Sequence, residues 1–129
     1  MRKKFLITGA LLGAVAVALG AFGAHELKKI VPEETVLTFQ TGVQYQMYHA
    51  LALLLTGVLS ERFPSKLTSY AGWFFIFGIL LFSGSLYLLT FLKATETVGL
   101  SKIGLITPFG GISFIAGWLC LFASVIRKG

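Results

Sequence analysis

The stretch Gln44-Tyr45-Gln46-Met47-Tyr48-His49-Ala50-Leu51-Ala52-Leu53-Leu54-Leu55, residues 44–55, joins a polar and aromatic block directly to an apolar run. The run continues to Leu59 and predicts a membrane-spanning helix that carries polar side chains into the bilayer. Hydrocarbon excludes such side chains unless groups inside the protein satisfy them. We therefore expect His49 to point inward, towards a partner or a cavity.

The composition of the whole chain is that of a membrane protein. Of its 129 residues, 56% are hydrophobic and 12% are charged, which is too little charge to cover a soluble domain of this length. About 20 residues at a rise of ~1.5 Å cross a hydrocarbon core of ~30 Å. Four stretches meet that length: residues 5–24, 40–59, 70–92 and 103–126. We predict an all-α polytopic membrane protein, a bundle of four transmembrane helices that forms one domain over residues 1–129.

The net charge of +6 is explained by membrane topology. The cations of a four-span chain divide seven to four, with Arg2, Lys3, Lys4, Arg62, Lys66, Arg127 and Lys128 on one side and Lys28, Lys29, Lys93 and Lys102 on the other. The positive-inside rule then predicts that both termini are cytoplasmic. Of the acids, only Glu61 lies on that side, whereas Glu26, Glu33, Glu34 and Glu96 lie on the other. The predicted partners are anionic lipid headgroups on the inner face rather than nucleic acid.

The first span has two features that affect its assignment. Arg2-Lys3-Lys4 and the following apolar run also fit a secretory signal peptide, but residues 5–20 are long for one, so we expect a retained helix. An N-terminus at Ala24 or His25 in the purified protein would contradict this. Small residues four apart let helices approach closely in lipid. We expect such contacts, within the chain or against a second copy, at Gly9, Gly13, Gly20, Gly84, Gly110, Gly111 and Gly117.

The second span should begin before the bilayer does. Pro32 followed by two glutamates predicts a helix start. A helix from there to Leu59 would be about 42 Å long, so its first turns should lie in the interface. Apolar residues three and four apart form one stripe along it: Val36, Phe39, Val43, Met47, Ala50 and Leu54. The polar side chains form a broad face beside that stripe, and this face is the main candidate for a ligand site: Gln44, Tyr45, Tyr48 and His49.

This polar face has two interpretations. Gln, Tyr and His are ordinary hydrogen-bonding groups between membrane helices, each contributing under about 2 kcal/mol, which would make the face a packing surface. Histidine at bilayer depth can also carry a proton or bind a ligand or metal, which would make it a functional site. His25, at the outer end of the first span, is a further candidate or an interfacial cap. It should differ from His49 in depth by roughly 13 Å, so we predict no shared metal and no cofactor.

Two later motifs add candidate residues. Ser83-Gly84-Ser85 supplies two hydroxyls that can bond to their own helix or to a neighbour. In residues 107–111, Thr107 as an N-cap and Pro108 as the first helical residue predict a break before the fourth helix. The break is either a simple boundary or a broken helix that exposes its backbone to a substrate. Cys120 is a lone cysteine in an apolar run, and no common catalytic motif is present, so we do not expect an enzyme.

Four motifs in order give the chain a family resemblance: residues 20–25 (GAFGAH), 44–52 (QYQMYHALA), 82–87 (FSGSLY) and 107–111 (TPFGG), followed by Gly117-Trp118. On these it resembles the YgdD/YwdK family, known as domain of unknown function 423, which has a eukaryotic relative, transmembrane protein 256. The resemblance covers essentially the whole chain without a departure from the pattern. It implies a small four-helix protein of the bacterial inner (cytoplasmic) membrane, and it supplies no activity, cofactor or catalytic residue. It also groups His25, His49, residues 83–85 and residues 107–111 as signature positions.

Two functions are consistent with these features. The first, which we favour, is a non-enzymatic membrane component that interacts with lipids or proteins and supports membrane integrity. The alternative is a small transporter, channel or ligand-binding protein that uses the polar face of the second helix and the break before the fourth. Four spans rarely enclose a pathway alone, so the alternative requires a homo-oligomer.

Overall fold

The computed structural model describes residues 2–95 and 101–128, and every regular element in those ranges is a helix. The elements are α1 (Arg2–His25), a 3₁₀ turn (Leu27–Lys29), α2 (Glu33–Arg62), α3 (Lys66–Gly78), a π-helical turn (Ile79–Ser83), α4 (Gly84–Ala94), α5 (Ser101–Gly104) and α6 (Thr107–Lys128). The prediction of an all-α chain is confirmed for these residues. The side chains of Arg2 and Lys128, and Glu96 entirely, lie outside the described residues, so their predicted places in the charge count are not addressed.

Three helical segments of the described chain are long and apolar enough to cross a membrane: Lys3–Lys29, Lys66–Ala94 and Lys102–Arg127. They contain the predicted spans 5–24, 70–92 and 103–126. Helix α2 is not among them, although its 30 residues make it about 45 Å long. Its glutamines and His49 lower its hydropathy. The helices therefore agree with a polytopic helical membrane protein, and three of the described segments have the length and composition needed to cross a bilayer.

Helix α2 begins one residue later than its sequence predicts. Pro32 is the N-cap in an extended conformation, and the helix begins at Glu33. The two acids then occupy the first turn, where the helix dipole favours negative charge.

Helix α3 begins after Ser65, whose hydroxyl accepts a hydrogen bond from the backbone N–H of Thr68 at 3.3 Å.

A turn at residues 105 and 106 separates α5 from α6, at the predicted break before the last apolar helix. The sequence predicts Thr107 as the N-cap of α6, but its side chain does not cap the helix in the structure. The nearby N–H groups of Phe109 and Gly110 donate to the carbonyl of Ile106 instead. The Thr107 hydroxyl is bonded to another helix, which removes it from the capping position.

Helix α2 packs against α1 and also contacts α3, the π-helical turn and α4, whereas α6 packs on α3 and the π-helical turn. The apolar stripe of α2 packs on the small residues of α1. A Cβ placed on Gly9 would be 3.0 Å from the carbonyl oxygen of Ala50, and one on Gly20 would be 3.4 Å from Val43. The main core is formed by residues of α1, α2, α3, the π-helical turn and α6: Phe5, Ala52, Leu53, Ala71, Phe75, Ile79, Phe114 and Leu121.

The glycines chosen from spacing differ in their surroundings. A Cβ on Gly110 would collide with the backbone of Phe82, and one on Gly117 would lie 2.6 Å from the Phe75 ring. A Cβ on Gly13 or on Gly84 would meet its nearest neighbour at 4.0 Å, and one on Gly111 would meet no atom of the described chain within 4 Å. The tight contacts also include glycines that the spacing did not select: Gly42 against Tyr87, Gly72 against Phe5 and Gly78 against Phe114.

Candidate functional site

The polar face predicted for α2 is divided in two by the fold. Gln46 and His49 point into the bundle and are 2% and 4% exposed. Gln44 and Tyr48 point away from it, and Tyr48 is 54% exposed. With 3.6 residues per turn, a block of five polar residues within six positions covers too many directions for all of them to face one neighbour. The site therefore has a buried half and an outward-facing half.

Gln46 joins three helices in the buried half. Its Nε2 donates to the backbone carbonyl of Leu12 in α1 at 2.8 Å, and its Oε1 accepts from the Tyr87 hydroxyl in α4 at 2.6 Å. Both polar groups of the amide are thereby used. Gln46 and Tyr87 were not among the candidate residues predicted from the sequence, although Gln46 lies three residues before His49 and so shares its side of the helix.

The hydrogen bonds of His49 define its protonation. Its Nδ1 lies 2.8 Å from the backbone carbonyl of Tyr45, and the Nε1–H of Trp118 lies 3.1 Å from its Nε2. A carbonyl only accepts and an indole only donates, so the proton is on Nδ1 and Nε2 is the acceptor. In this arrangement His49 is the neutral tautomer, and both ring nitrogens are engaged in hydrogen bonds.

Aromatic rings enclose the imidazole of His49. It stacks on Phe114 with ring centroids 3.5 Å apart and an interplanar angle of 8°. Phe75 and Trp118 contact it at centroid distances of 5.6 and 6.0 Å. Tyr45 stacks on Phe82 at 4.6 Å on the neighbouring side. The rings that contact His49 from outside α2 therefore come from α3 and α6, and Tyr45 extends the cluster to the π-helical turn.

The serines and the threonine predicted to belong to the site also bond between helices. The Ser83 hydroxyl donates to the carbonyl of Gly42 at 2.6 Å, one turn before Gln46. The Ser85 hydroxyl donates to the carbonyl of Phe82 at 2.8 Å, and its oxygen lies 2.6 Å from that of Thr107. Ser83 therefore joins the π-helical turn to α2, and Ser85 joins α4 to α6.

His25 is not brought to this group. It is exposed as the last residue of α1, whereas His49 is buried in the middle of α2. Within residues 2–95 and 101–128, no cluster of three or more His, Cys, Asp or Glu side chains is arranged to hold a metal. The described chain also contains no buried side-chain nitrogen or oxygen without a hydrogen-bond partner. The arrangement is chemically suited to holding helices together.

Cavities are found at the ends of the bundle. One of about 370 Å³ lies where the α2–α3 loop meets the end of α6, and its lining includes Ser65, Lys66, Ser124 and Arg127. Another, of about 390 Å³, lies between the end of α1 and the start of α2 and includes Lys28, Glu33 and Gln40. Both are far along their helices from His49.

Comparison with known proteins identifies the family. The family model described as "Protein of unknown function (DUF423)" matches residues 19–111. The UPF0382 membrane protein YwdK of Bacillus subtilis is 40% identical over 126 residues, covering 97% of this chain and 98% of the relative. A UPF0382 membrane protein of Staphylococcus epidermidis is 42% identical over 125 residues, covering 97% of each chain. The UPF0382 inner membrane protein YgdD of Escherichia coli is 40% identical over 131 residues, covering 98% of this chain and 93% of the relative. No solved structure matches. The chain therefore belongs to the DUF423 family and is a membrane protein of unknown function.

Proposed function

We propose that the protein is a non-enzymatic component of the bacterial inner membrane that interacts with lipids or other proteins and supports membrane integrity. The observation that carries this proposal is that every buried polar side-chain atom of the described residues has a hydrogen-bond partner. Catalysis and transport need polar groups that a substrate can reach. Gln46 and His49 instead use their polar atoms to join helices.

The proposal includes α2 as a fourth crossing, in a single domain over residues 1–129. Its length of about 45 Å exceeds the ~30 Å of hydrocarbon, so its first turns lie in the interface. Two of the polar residues that lower its hydropathy, Gln46 and His49, are buried and hydrogen-bonded to neighbouring helices. A helix whose polar groups are satisfied by its neighbours can cross a bilayer despite low hydropathy.

Four crossings place both termini on the same side. The positive-inside rule and the seven-to-four division of cations favour the cytoplasmic side. The α2–α3 loop then faces the cytoplasm together with the end of α6. This arrangement predicts that a reporter fused to either terminus is active only if it functions in the cytoplasm.

Anionic headgroups of the inner leaflet are the proposed lipid partners. Lys66 and Arg127 line the cavity of about 370 Å³ at the cytoplasmic end, and Phe63 and Leu67 give it apolar walls. Such a lining suits a phosphate group above hydrocarbon. Replacing Lys66 and Arg127 by glutamine should reduce the enrichment of phosphatidylglycerol around the purified protein in mixed nanodiscs. Replacing the exposed Lys93, which lies on the other side, is the matched control.

The test of the main proposal compares two variants that remove the same hydrogen bond. His49→Phe and Trp118→Phe each break the bond between the imidazole and the indole. If His49 serves packing, both variants complement a deletion strain in proportion to the amount of folded protein in the membrane. If His49→Phe folds to the wild-type level and fails to complement while Trp118→Phe succeeds, His49 has a chemical role and the proposal fails.

The transporter, channel or ligand-binding function remains the second candidate because of the outward-facing half of the site. Gln44 and Tyr48 are exposed on α2 and would be available to a pathway formed between copies. A Gln44→Ala variant that is fully folded and yet inactive in complementation would favour this function. A Gln44→Ala variant that complements would count against it.

A further inference from the structure

Over most of its length, one side of α2 faces away from the other helices that the structure describes. It consists of residues three and four apart, here named the lateral stripe: Leu37, Thr41, Gln44, Tyr48, Leu51, Leu55 and Val58. The leucines, Tyr48 and Val58 are all exposed, with Leu51 at 57%. The stripe is therefore a surface that either lipid or another protein must cover.

The middle of the lateral stripe is polar. Tyr48 lies at the midpoint of α2, and Gln44 lies about 6 Å from it along the helix. The hydroxyl of Thr41 is satisfied by the carbonyl of Leu37 at 3.0 Å. The amide of Gln44 and the hydroxyl of Tyr48 form no hydrogen bond to any residue that the structure describes. In the four-span arrangement both groups lie in hydrocarbon, where lipid offers no partner for them.

A second copy of the chain offers the partners that lipid lacks. Two copies inserted in the same orientation and related by a two-fold axis along the membrane normal bring each residue near the axis opposite its own counterpart. An amide has both donors and an acceptor, and a phenol is both donor and acceptor, so each can pair with itself. The charged residues of α2 lie only at its ends: Glu33, Glu34, Glu61 and Arg62. Nothing in the middle of the stripe repels a copy of itself.

We propose that the lateral stripe of α2 is the contact surface between two copies of this chain, with the Gln44 amides paired across the two-fold axis. This inference rests on the crossing of the membrane by α2 in the proposed function. It adds the partner and the residues that recognise it. Gln44 then contributes to the interface between copies, whereas the buried Gln46, two positions later, joins helices within one copy.

The first test is disulfide cross-linking in native membranes. Cys120, the one cysteine of the sequence, is replaced by alanine, and a single cysteine is introduced at Leu51 on the lateral stripe. The controls are cysteines at Val17 of α1 and Leu119 of α6, which are 62% and 60% exposed and so match Leu51. Oxidation should give a dimer of twice the monomer mass from Leu51→Cys and from neither control. Equal cross-linking at all three positions, or a cross-link only to a protein of different mass, overturns the inference.

The second test removes the polar contact while leaving the cross-linking position intact. In the Leu51→Cys protein, Gln44→Leu should lower the dimer association constant roughly tenfold, as expected for losing a hydrogen bond between membrane helices. Thr41→Val is the matched control, since that hydroxyl is already bonded within its own helix, and it should leave dimerisation unchanged. An unchanged association constant for Gln44→Leu overturns the inference.

A third measurement separates this inference from the proposal on which it rests. Single cysteines at Glu33 and Pro64, both exposed and at opposite ends of α2, are labelled with a membrane-impermeant maleimide from one side of the membrane. Labelling of only one of the two shows that α2 crosses, and an absent Leu51 cross-link then refutes only the dimer. Labelling of both from the same side refutes the four-span arrangement itself, and with it the dimer surface.

Discussion

The Gln46→Leu substitution should destabilise the protein strongly, because one amide joins three helices. Leucine has a similar volume and keeps the apolar packing. It removes the bonds to the Leu12 carbonyl at 2.8 Å and to the Tyr87 hydroxyl at 2.6 Å. It also leaves the half-buried Tyr87 hydroxyl facing an apolar side chain.

The magnitude follows from these two effects. A hydrogen bond between membrane helices contributes about 0.6 kcal/mol on average and up to about 1.7. An unpaired buried hydroxyl costs a further 1–3 kcal/mol or so. Gln46→Leu should therefore lower the free energy of unfolding by about 3 kcal/mol. Tyr87→Phe removes one bond and leaves the buried Gln46 Oε1 without its partner, so it should lower the free energy of unfolding by about 2 kcal/mol. The double variant should lose about 2–3 kcal/mol, less than the sum, because it no longer contains the unpaired hydroxyl.

Reversible unfolding in mixed micelles, titrated with SDS and followed by the fluorescence of Trp73 and Trp118, measures these free energies. The slope of the transition must stay constant for the comparison to hold. The reasoning is refuted if Gln46→Leu lies within about 0.5 kcal/mol of the wild type, or if the two single losses simply add. Either result would mean that the Gln46–Tyr87 bond does not couple α2 to α4.

Two further predictions concern helix contacts. Gly110→Ala should cost about 1–3 kcal/mol of unfolding free energy because its Cβ meets the Phe82 backbone. Gly111→Ala, with no atom of the described chain within 4 Å, should be neutral or stabilising by up to about 1 kcal/mol. Equal losses for the two alanine variants would contradict the packing of α6 on the π-helical turn. Ser83→Ala should cost about 1 kcal/mol by losing its 2.6 Å bond to the Gly42 carbonyl, and wild-type stability would show that this bond contributes nothing.

The sequence predicts the helices because length and apolarity are local properties. Residues 5–24, 70–92 and 103–126 fall within the helical segments that are apolar enough to cross a membrane, and Pro32 with the acids beside it predicts the start of α2 to within one residue. The side-chain cap at Thr107 was wrong because its hydroxyl is bonded to Ser85, 22 residues away. A local motif cannot reveal that competition.

The division of the candidate site could not be predicted for the same reason. Gln44 and Gln46 have the same side chain two residues apart, which places them in nearly opposite directions around a helix. Which one faces the bundle depends on where Tyr87 and Trp118 lie, and these are 41 and 69 residues from their partners in sequence. The apolar stripe of α2 predicts where α1 packs, but it does not predict where α4 and α6 lie.

The central claim is that the buried polar residues hold the helices together, and the state of His49 tests it most directly. Nitrogen-15 NMR of selectively labelled histidine in the folded protein, at neutral pH, distinguishes the two tautomers and the imidazolium. The hydrogen bonds to the Tyr45 carbonyl and from the Trp118 indole predict a neutral ring with its proton on Nδ1, and Trp118→Phe should change the Nε2 signal. A charged ring, a proton on Nε2, or an Nε2 signal insensitive to Trp118→Phe would contradict the account.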